Sequence, residues 1–358
     1  MKNIRCLFRS VSLVMNKEAQ SWLIIASNLL DKELDHQIMD DGMHFELSHS
    51  YHIQVLQDLL CIRRSLIHII KVNKLEYKNE ILLKKIEKNI KKMFYPLSFM
   101  SHPDGKASLL GDSGLTTSES PRKIISYLKK NKILDHIEIQ DFIYWKLNNA
   151  GYYGYKSKNS SFIIDCGPTC PDDLPAHGQG DSLSFEWSIQ KERFIVDTGV
   201  YEYKQGRKRS YSRSTFSHNT LTLDNLNQSQ FWSSFRTGKR AKSFLNYFKS
   251  SKRGFTFEGY HDGYKNLKGN PLILRKIKFK PSQLKVQDRV TSQKKHKITS
   301  RILFSNRVFF EDKFINKKGQ YCCYLILKSS FKNKNDINMF FESDVDFKII
   351  PAFWYPDF

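Results

Sequence analysis

The feature that most constrains how this chain can fold is a change of hydrophobic period near residue 140. From about residue 16 to residue 133, apolar residues recur three and four positions apart, as Trp22, Ala26 and Leu30 do, and this spacing is typical of amphipathic helices. Beyond residue 140, short apolar runs alternate with polar residues between turn formers, as strands do. Helical runs followed by strand runs predict an α+β fold, arranged as two domains.

The finer pattern predicts individual elements. A lysine-rich stretch over 73–92 carries Ile81, Leu82, Ile86 and Ile90 on one face, which indicates an amphipathic surface helix. Pro96 and the Gly- and Ser-containing segment 101–121 are expected to break the helical pattern. Strands are predicted over 160–165, 183–189, 193–197, 219–224, 273–279, 284–290 and 321–327.

Composition narrows the class of protein without fixing its ligand. The chain has 358 residues and 40% hydrophobic residues, which favours a globular protein over a disordered one. Lys and Arg number 58 against 36 Asp and Glu, a net charge of +22, and such a field attracts polyanions. Nucleic acid, an anionic membrane surface and acidic polysaccharide all remain open. A coding bias toward Lys, Asn and Ile would account for much of the excess equally well.

The sequence contains no recognisable targeting or membrane segment. No apolar run approaches the ~18–20 residues of a membrane span, and Arg9 interrupts the apolar stretch at the N-terminus, so no signal peptide is predicted. Six cysteines are scattered along the chain, and no pair of CxxC motifs indicates a zinc ribbon. We expect free thiols, with at most one disulfide.

Two segments are richer in polar residues than a structural role requires. The first, 40–52, lies between helical stretches and holds Glu46, Tyr51 and His52. Tyrosine can act as an acid or base when a cationic neighbour lowers its pKa. On spacing alone, Tyr51 and His52 could equally open the next helix as surface residues.

The second segment places two histidines and an aspartate near strand ends. His177 lies in a glycine-containing loop, Asp197 ends a predicted strand, and His218 precedes another. A lone histidine is more often structural, but three such positions within about forty residues could hold a divalent metal or a substrate.

Together these segments resemble the motifs of the heparinase II/III-like polysaccharide lyases. The first resembles the family signature DGxxxExSxxYH, with Gly42, Glu46, Ser48, Tyr51 and His52 in place. The second resembles the block HxHxDxLSFE…VDxGxY…RxTxxHNT, and the matching residues are His177, Asp181, Leu183, Ser184, Phe185, Glu186, Asp197, Gly199, Tyr201, Arg213, Thr215, His218, Asn219 and Thr220. Segments 111–113 and 225–236 resemble the short interdomain motif and the stretch that follows HNT.

The resemblance implies a fold and a reaction. It implies an incomplete (α/α) toroid over 1–134 and a C-terminal antiparallel β-sandwich domain over 135–358. The implied activity is cleavage of a uronate-containing acidic polysaccharide by β-elimination, with Tyr51 as the acid/base. His177 would be the partner base or would lie on the carboxylate side of the sugar. Glu46, His52 and Arg213 would orient or charge the site. We expect the side chains of Tyr51, His177 and Arg213 to lie around one cleft between the two domains.

The resemblance also bears on a metal and on the start of the chain. Family members that bind a metal use the second His of HxH, so the set here would be Gln179, Asp197 and His218. A glutamine oxygen is a poor zinc ligand, so we expect weak or no binding of zinc or calcium. The family carries an Asn-His motif before the stretch that 3–15 resembles, and without it we expect a much less active chain.

Several alternatives stay open at this point. The chain could be a catalytically impaired, carbohydrate-binding relative in a surface-polysaccharide pathway. A nucleic-acid-binding role ranks last, because basic residues are spread along the chain without a recognition signature. Heparan sulfate, alginate, hyaluronan and bacterial exopolysaccharide are all candidate substrates, with a leaning to exopolysaccharide. The family resemblance implies a periplasmic or cell-surface location, and the sequence leaves the oligomeric state open.

Overall fold

The computed structural model describes residues 1–14, 16–73, 77–134, 142–330 and 335–352. Helices in these ranges are α1 (Lys2–Val14), α2 (Lys17–Gln37), α3 (His49–Asn73), α4 (Tyr77–Phe99), α5 (Pro121–Lys130) and α6 (Arg207–Arg213), with 3-10 turns at Pro175–His177 and Thr215–Ser217. The expected domain boundary borders segment 135–141, which lies outside the described residues.

The strands follow in chain order and fall mainly after residue 140. They are β1 (Phe142–Leu147), β2 (Tyr152–Ser157), β3 (Ser161–Asp165), β4 (Phe185–Ile189), β5 (Glu192–Ile195), β6 (Leu221–Leu223), β7 (Phe231–Trp232), β8 (Arg236–Thr237), β9 (Ser243–Ser251), β10 (Gly254–His261), β11 (Leu272–Lys280), β12 (Gln283–Thr291), β13 (Ile298–Ser300), β14 (Val308–Phe310), β15 (Phe314–Ile315), β16 (Tyr321–Leu327) and β17 (Ile337–Ser343). Helices followed by strands confirm the α+β order. The expected strand at 219–224 shortens to β6.

The helical region begins earlier than the sequence indicated. The first helix was expected after residue 16, but α1 starts at Lys2 and buries Ile4, Phe8 and Val11. These residues are four and three positions apart, so they form one stripe on the helix. That stripe packs into the same core as α2, α3, α4 and α5.

Pro96 does not end the helical region as expected. It lies inside α4, which continues to Phe99. Proline removes one backbone donor, so α4 loses one hydrogen bond, and burial of the neighbouring Phe94 and Leu97 in the helical core offsets that loss. The predicted apolar face is confirmed for Leu82, Ile86 and Ile90, which are buried, whereas Ile81 is 50% exposed.

The strands form antiparallel sheets that share an aromatic core. One sheet has the order β1-β2-β3-β4-β5, a second β12-β11-β10-β9, and in a third β16 pairs with β14, β15 and β17. Phe162 of β3 lies 5.5 Å from Phe255 of β10 and 4.8 Å from Phe279 of β11, between ring centroids. These rings join the first two sheets face to face, and burying them is a major source of stability.

The loop between α2 and α3 connects the helical region to the first sheet. Gly42 turns with φ +88°, and a Cβ there would stand 2.3 Å from the carbonyl oxygen of Lys92, so the position requires glycine. Asp41 accepts hydrogen bonds from the backbone amides of Asn149 and Ala150, both at 2.8 Å. The loop that carries the first motif is therefore anchored on both sides.

The structure also bears on the predictions about membrane spans and disulfides. None of the helices among the described residues is long and apolar enough to cross a membrane. All six cysteines are free thiols.

Candidate active site

The first turn of α3 is fixed by the turn at 111–113. The Ser48 hydroxyl donates to the backbone oxygen of Asp112 at 3.0 Å, and the Ser50 amide donates to the Ser113 hydroxyl at 3.3 Å. These bonds hold the Asp112 side chain beside the first turn of α3, where Tyr51 lies.

Tyr51 and His177 meet although they are far apart in the sequence. Their ring centroids are 4.3 Å apart, and His177 ends the 3-10 turn at Pro175–His177. Glu46 approaches from the loop before α3, with its Oε2 atom 3.4 Å from His177 Nε2. The side chains of His177 and Glu46 are each 16% exposed, so the group is largely shielded but still reaches solvent. We call the surface at Glu46, Tyr51 and His177 the cleft.

A buried carboxylate orients the His177 ring. Asp112 Oδ2 lies 2.7 Å from His177 Nδ1, and the same carboxylate accepts bonds from both terminal nitrogens of Arg209. Burial alone would raise the pKa of Asp112, but hydrogen bonds from His177 and Arg209 hold it below its ordinary value. Asp112 therefore fixes the ring at Nδ1, and Nε2 faces Glu46 and the cleft.

The surroundings of Tyr51 raise the pKa of its phenol. Burial, followed by a hydrogen bond with Tyr203, raises the pKa of the Tyr51 phenol well above its ordinary value. Burial also raises the pKa of Tyr203 to about 12. At neutral pH this phenol keeps its proton, as a general acid requires.

Burial and the neighbouring His177 act on the pKa of Glu46 in opposite directions. Loss of solvent raises the pKa of the Glu46 carboxyl, and the nearby His177 offsets only part of that rise. Glu46 Oε2 has no hydrogen-bond partner among the described residues. An unpartnered buried oxygen is costly, so this atom is a natural contact for a bound ligand.

His52 is close in sequence but faces away from the cleft. It is fully buried, its Nε2 lies 2.9 Å from the carbonyl oxygen of Met93, and its Nδ1 accepts from the His44 amide at 3.3 Å. Burial lowers the pKa of His52 to about 4, so the ring is neutral. Its contacts join the loop before α3 to α4.

Arg213 does not line the cleft, and that expectation is wrong. The residue is fully buried, and its guanidinium donates to the carbonyl oxygens of Gly178, Ser233 and Arg236 and to the Thr237 hydroxyl. An arginine whose donors are used in this way cannot also neutralise a substrate carboxylate. It instead fixes the backbone immediately after His177.

The three positions of the implied metal set do not form a complete ligand group. Asp197 Oδ2 and His218 Nδ1 are neighbours at 2.8 Å, whereas the Gln179 amide nitrogen donates to Asp112 at 3.0 Å. Gln179 Oε1 and His218 Nε2 have no hydrogen-bond partner among the described residues. One imidazole, one carboxylate and a neutral amide are a weak donor set for zinc. No group of three His, Cys, Asp or Glu suited to a metal occurs among the described residues.

Sequence reasoning missed three residues that shape the site. Asp112 had been noted only within the motif at 111–113, and Arg209 and Tyr203 were not singled out. The general signal available was that a buried carboxylate requires a cation. Only the fold shows that Arg209 is that cation, 97 positions away from Asp112 in the chain.

Comparisons with known proteins define the class of this protein. A family model described as "Heparinase II/III-like, C-terminal" matches residues 140–345, and one described as "Heparinase II/III N-terminus" matches residues 2–134. The chain belongs to the heparinase II/III-like family.

Individual relatives are only distantly similar in sequence. The heparin-sulfate lyase of Pedobacter heparinus is 27% identical over 242 residues, which are 62% of this chain and 35% of that protein. The heparin-sulfate lyase of Bacteroides thetaiotaomicron is 23% identical over 291 residues, 70% of this chain and 38% of that protein. The matched stretches therefore cover little more than a third of the length of these relatives.

Solved structures share the fold. The crystal structure of heparinase III matches with a TM-score of 0.70 and 17% identity, covering 93% of this chain and 53% of that one. Heparan sulfate lyase HepC from Pedobacter heparinus matches with a TM-score of 0.64 and 22% identity, covering 91% of this chain and 51% of that one. The mixed arrangement of helices and antiparallel sheets is thus that of the heparinases.

Proposed function

We propose that this protein is a polysaccharide lyase that cleaves a uronate-containing acidic polysaccharide by β-elimination. The observation that carries the proposal is the contact between Tyr51 and His177, 4.3 Å apart between ring centroids, in a member of a lyase family. A protonated phenol and an imidazole acceptor on one cleft are the acid and base that an elimination needs.

The two side chains divide the proton transfers. His177 Nε2 takes the proton from C5 of the uronate, the C4–O4 bond breaks, and a C4–C5 double bond forms. The Tyr51 hydroxyl gives its proton to the departing O4. No water is consumed, which distinguishes this reaction from glycoside hydrolysis by paired carboxylates.

The remaining residues prepare the base. Asp112, held ionised by Arg209, keeps the proton of the His177 ring on Nδ1 and leaves Nε2 free to accept. Glu46 lies beside Nε2, where it orients the ring and contacts the substrate. Arg213 and His52 act indirectly, because they fix the backbone on either side of the cleft.

The finer features of the proposal follow from family membership. The substrate class is a glycosaminoglycan of the heparan sulfate type, and alginate, hyaluronan and bacterial exopolysaccharide are the further candidates. The helices would be part of an (α/α) toroid and the stacked sheets a β-sandwich, in a periplasmic or cell-surface protein. The reaction proceeds without tightly bound zinc, because the donor set at Gln179 is weak.

Gln179 favours a second candidate function. An amide occupies the position where the family has the second His of HxH, which would fit a catalytically impaired relative that binds acidic polysaccharide without cleaving it. Such a protein would keep the cleft and the charge but lack turnover.

A spectroscopic assay separates the two functions. The purified chain and a Tyr51→Phe variant are incubated with heparan sulfate, hyaluronan and alginate, and the ultraviolet absorbance of the unsaturated uronate is followed. Product formed by the parent and lost in Tyr51→Phe supports the lyase. No product from any polymer, together with measurable binding, would establish the binding function instead.

A further inference from the structure

A row of lysines crosses the outer face of the sheet β9–β12. The register pairs Lys278 of β11 with Lys285 of β12, and it pairs Thr256 of β10 with both Lys278 and Lys249 of β9. All three lysines are exposed. Because neighbouring strands lie about 4.8 Å apart, the Cα atoms of the three lysines lie on a line roughly 14 Å long. We call Lys249, Lys278 and Lys285 the lysine row.

The carboxylates of this sheet do not neutralise the row. Each acidic residue between 243 and 291 has another basic partner, and the pairs are Glu258–Lys276 at 3.8 Å, Asp262–Lys265 at 2.5 Å and Asp288–Arg275 at 2.7 Å. In the part of the chain that the structure describes, no ion pair within 4.0 Å involves a member of the lysine row. The row therefore presents uncompensated positive charge.

Protection against aggregation accounts for only part of this arrangement. Lysines on edge strands discourage pairing with other chains, and β9 and β12 are the edges of the sheet. Lys278, however, is on β11, which is paired on both sides and has no free edge. Its position directly opposite Lys285 costs stability, because like charges across a strand pair repel. A bound polyanion would turn that repulsion into attraction.

Aromatic rings lie next to the row on the same face. The Tyr247 ring centroid is 5.4 Å from Lys249 Nζ and 5.8 Å from Lys276 Nζ. Further along, Tyr260 stacks on Phe244 at 4.9 Å, and Phe244 is 41% exposed. Rings beside ammonium groups suit a sugar chain, which has apolar C–H faces as well as acidic substituents.

We propose that this outer face is a second binding site for acidic polysaccharide, in which the lysine row pairs with carboxylate or sulfate groups. The proposal rests on the proposed function in one respect, since its ligand is of the same class as the substrate of the cleft. The inner face of the sheet packs against β1–β5 through the aromatic core, so the outer face is a separate surface. Two sites on one long chain raise the effective concentration of substrate at the cleft.

The experiment measures binding without turnover. In a Tyr51→Phe background, the triple variant K249Q/K278Q/K285Q is titrated with heparan sulfate chains at about 0.1 M salt, where screening is moderate. The matched control K84Q/K88Q/K91Q removes the same charge from exposed positions on α4. We expect the row variant to bind roughly tenfold more weakly, because three exposed charge contacts contribute a factor of about two each. The control should change less than about twofold.

One further variant and two further ligands, uncharged dextran and duplex DNA, sharpen the result. K249R/K278R/K285R keeps the charge and should keep the affinity, and uncharged dextran should bind to none of the proteins. Thermal unfolding of each variant verifies that it is folded.

Three outcomes would overturn the second site. An equal loss in both triple variants would mean a general charge effect. A loss confined to duplex DNA would mean a nucleic-acid surface. No binding of heparan sulfate, hyaluronan or alginate to the Tyr51→Phe parent would mean that the outer face has no acidic polysaccharide as its ligand. Because binding is measured without catalysis, absence of lyase activity in the unmodified chain would leave this test standing.

Discussion

Two clusters of charged side chains lie where the helical region meets segments from beyond residue 140, and they differ in access to solvent. The cleft cluster is Glu46, Tyr51, Asp112, His177 and Arg209. The buried cluster is His102, Asp104, Lys156, Glu186 and Arg193. Each contains a histidine, carboxylates and an arginine, so their chemical inventories are nearly the same.

Exposure separates the two clusters. His177 and Glu46 are each 16% exposed, whereas the side chains of His102 and Glu186 are 0% exposed. In the buried cluster each charged side chain has a partner inside the protein, although Arg193 Nη1 makes no hydrogen bond and lies 3.5 Å from Glu186 Oε1. His102 Nδ1 is 2.6 Å from the Ser188 hydroxyl, and Glu186 accepts from the Leu109 amide at 2.9 Å.

Charged composition alone therefore does not identify a functional site. Burial alone would raise the pKa of Glu186, but His102, Arg193 and the Leu109 amide hold it below its ordinary value. The groups of the buried cluster stabilise one another. Asp104, whose side chain is 25% exposed, and the partly buried Lys156 reach solvent, whereas His102 and Glu186 are closed to a ligand. The cleft cluster leaves Glu46 Oε2 unpartnered and adds a phenol. We therefore expect its substitution to affect rate more than stability.

The largest expected effect is on catalysis at Tyr51. Tyr51→Phe removes the proton donor while keeping the ring, and the rate should fall by 10²–10⁴, as for loss of a general acid. The free energy of unfolding should change by less than about 1.5 kcal/mol, the value of one hydrogen bond. Steady-state assays and urea unfolding measure the two quantities. A variant that turns over normally would exclude Tyr51 as the acid.

Glu186→Gln in the buried cluster should have the opposite profile. It removes a fully buried charge that is paired with His102 and Arg193, and breaking such a pair costs about 3–5 kcal/mol. Chemical denaturation should detect this loss, while kcat of the protein that remains folded should stay close to that of the parent. If kcat falls as far as in Tyr51→Phe, the two clusters are not functionally distinct.

Lys156 gives the buried cluster a pH dependence of stability. Burial lowers the pKa of Lys156 to about 8, against an unfolded value of ~10.4. Between these values the unfolded chain holds a proton that the folded protein has released, so stability rises with pH through this window. Below pH 8 both states are charged, and the folded state carries the cost of a buried ammonium.

Lys156→Met tests this assignment. The variant should gain up to about 3 kcal/mol at pH 7, from about 1.4 kcal/mol per pKa unit, and the gain should shrink as the pH approaches 10. Urea unfolding of both proteins from pH 7 to pH 10 measures the difference. A variant that is less stable at every pH would mean that the bond from Lys156 to the Ser101 carbonyl outweighs burial of the charge.

Asp112→Asn should lower kcat by roughly 10- to 100-fold, as loss of a residue that orients a functional histidine does. KM should change little, because Asp112 is fully buried and does not reach the substrate. The matched comparison is Glu186→Gln, which also neutralises a fully buried carboxylate. Equal kcat values for the two variants would show that Asp112 only stabilises the fold.

The smallest expected effect is on metal affinity. Elemental analysis of the dialysed protein should find little zinc, because Gln179 contributes a neutral amide. Gln179→His adds an imidazole and should raise zinc affinity by at least about tenfold, measured by competition with a chelator. Stoichiometric zinc in the unmodified protein after dialysis would contradict this prediction.

Part of the fold and of the site could be predicted from the sequence. The period change near residue 140 indicated helices followed by sheets, since burial of one face fixes the spacing of apolar residues. The motif resemblance indicated Tyr51, His177 and Glu46, and the structure places these three together. The roles assigned to them stay predictions.

Two predictions about individual residues, Pro96 and Arg213, were wrong. Pro96 was expected to break a helix, but α4 continues past it to Phe99. Packing of the neighbouring side chains into the helical core stabilises this end of α4. Arg213 was expected to line the cleft, yet its donors bond to the backbone beside Gly178 and the segment 233–237. A motif names a residue without giving the direction of its side chain.

The sequence by itself determined the order of helices and strands and the residues of the motifs, because both are local properties of spacing and residue type. Tertiary structure alone decided that Asp112 pairs with Arg209, 97 positions away, and that His177 is therefore oriented toward Tyr51. It also decided which charged cluster is exposed. Such choices depend on which distant segments exclude water together, and water exclusion is a property of the packed molecule.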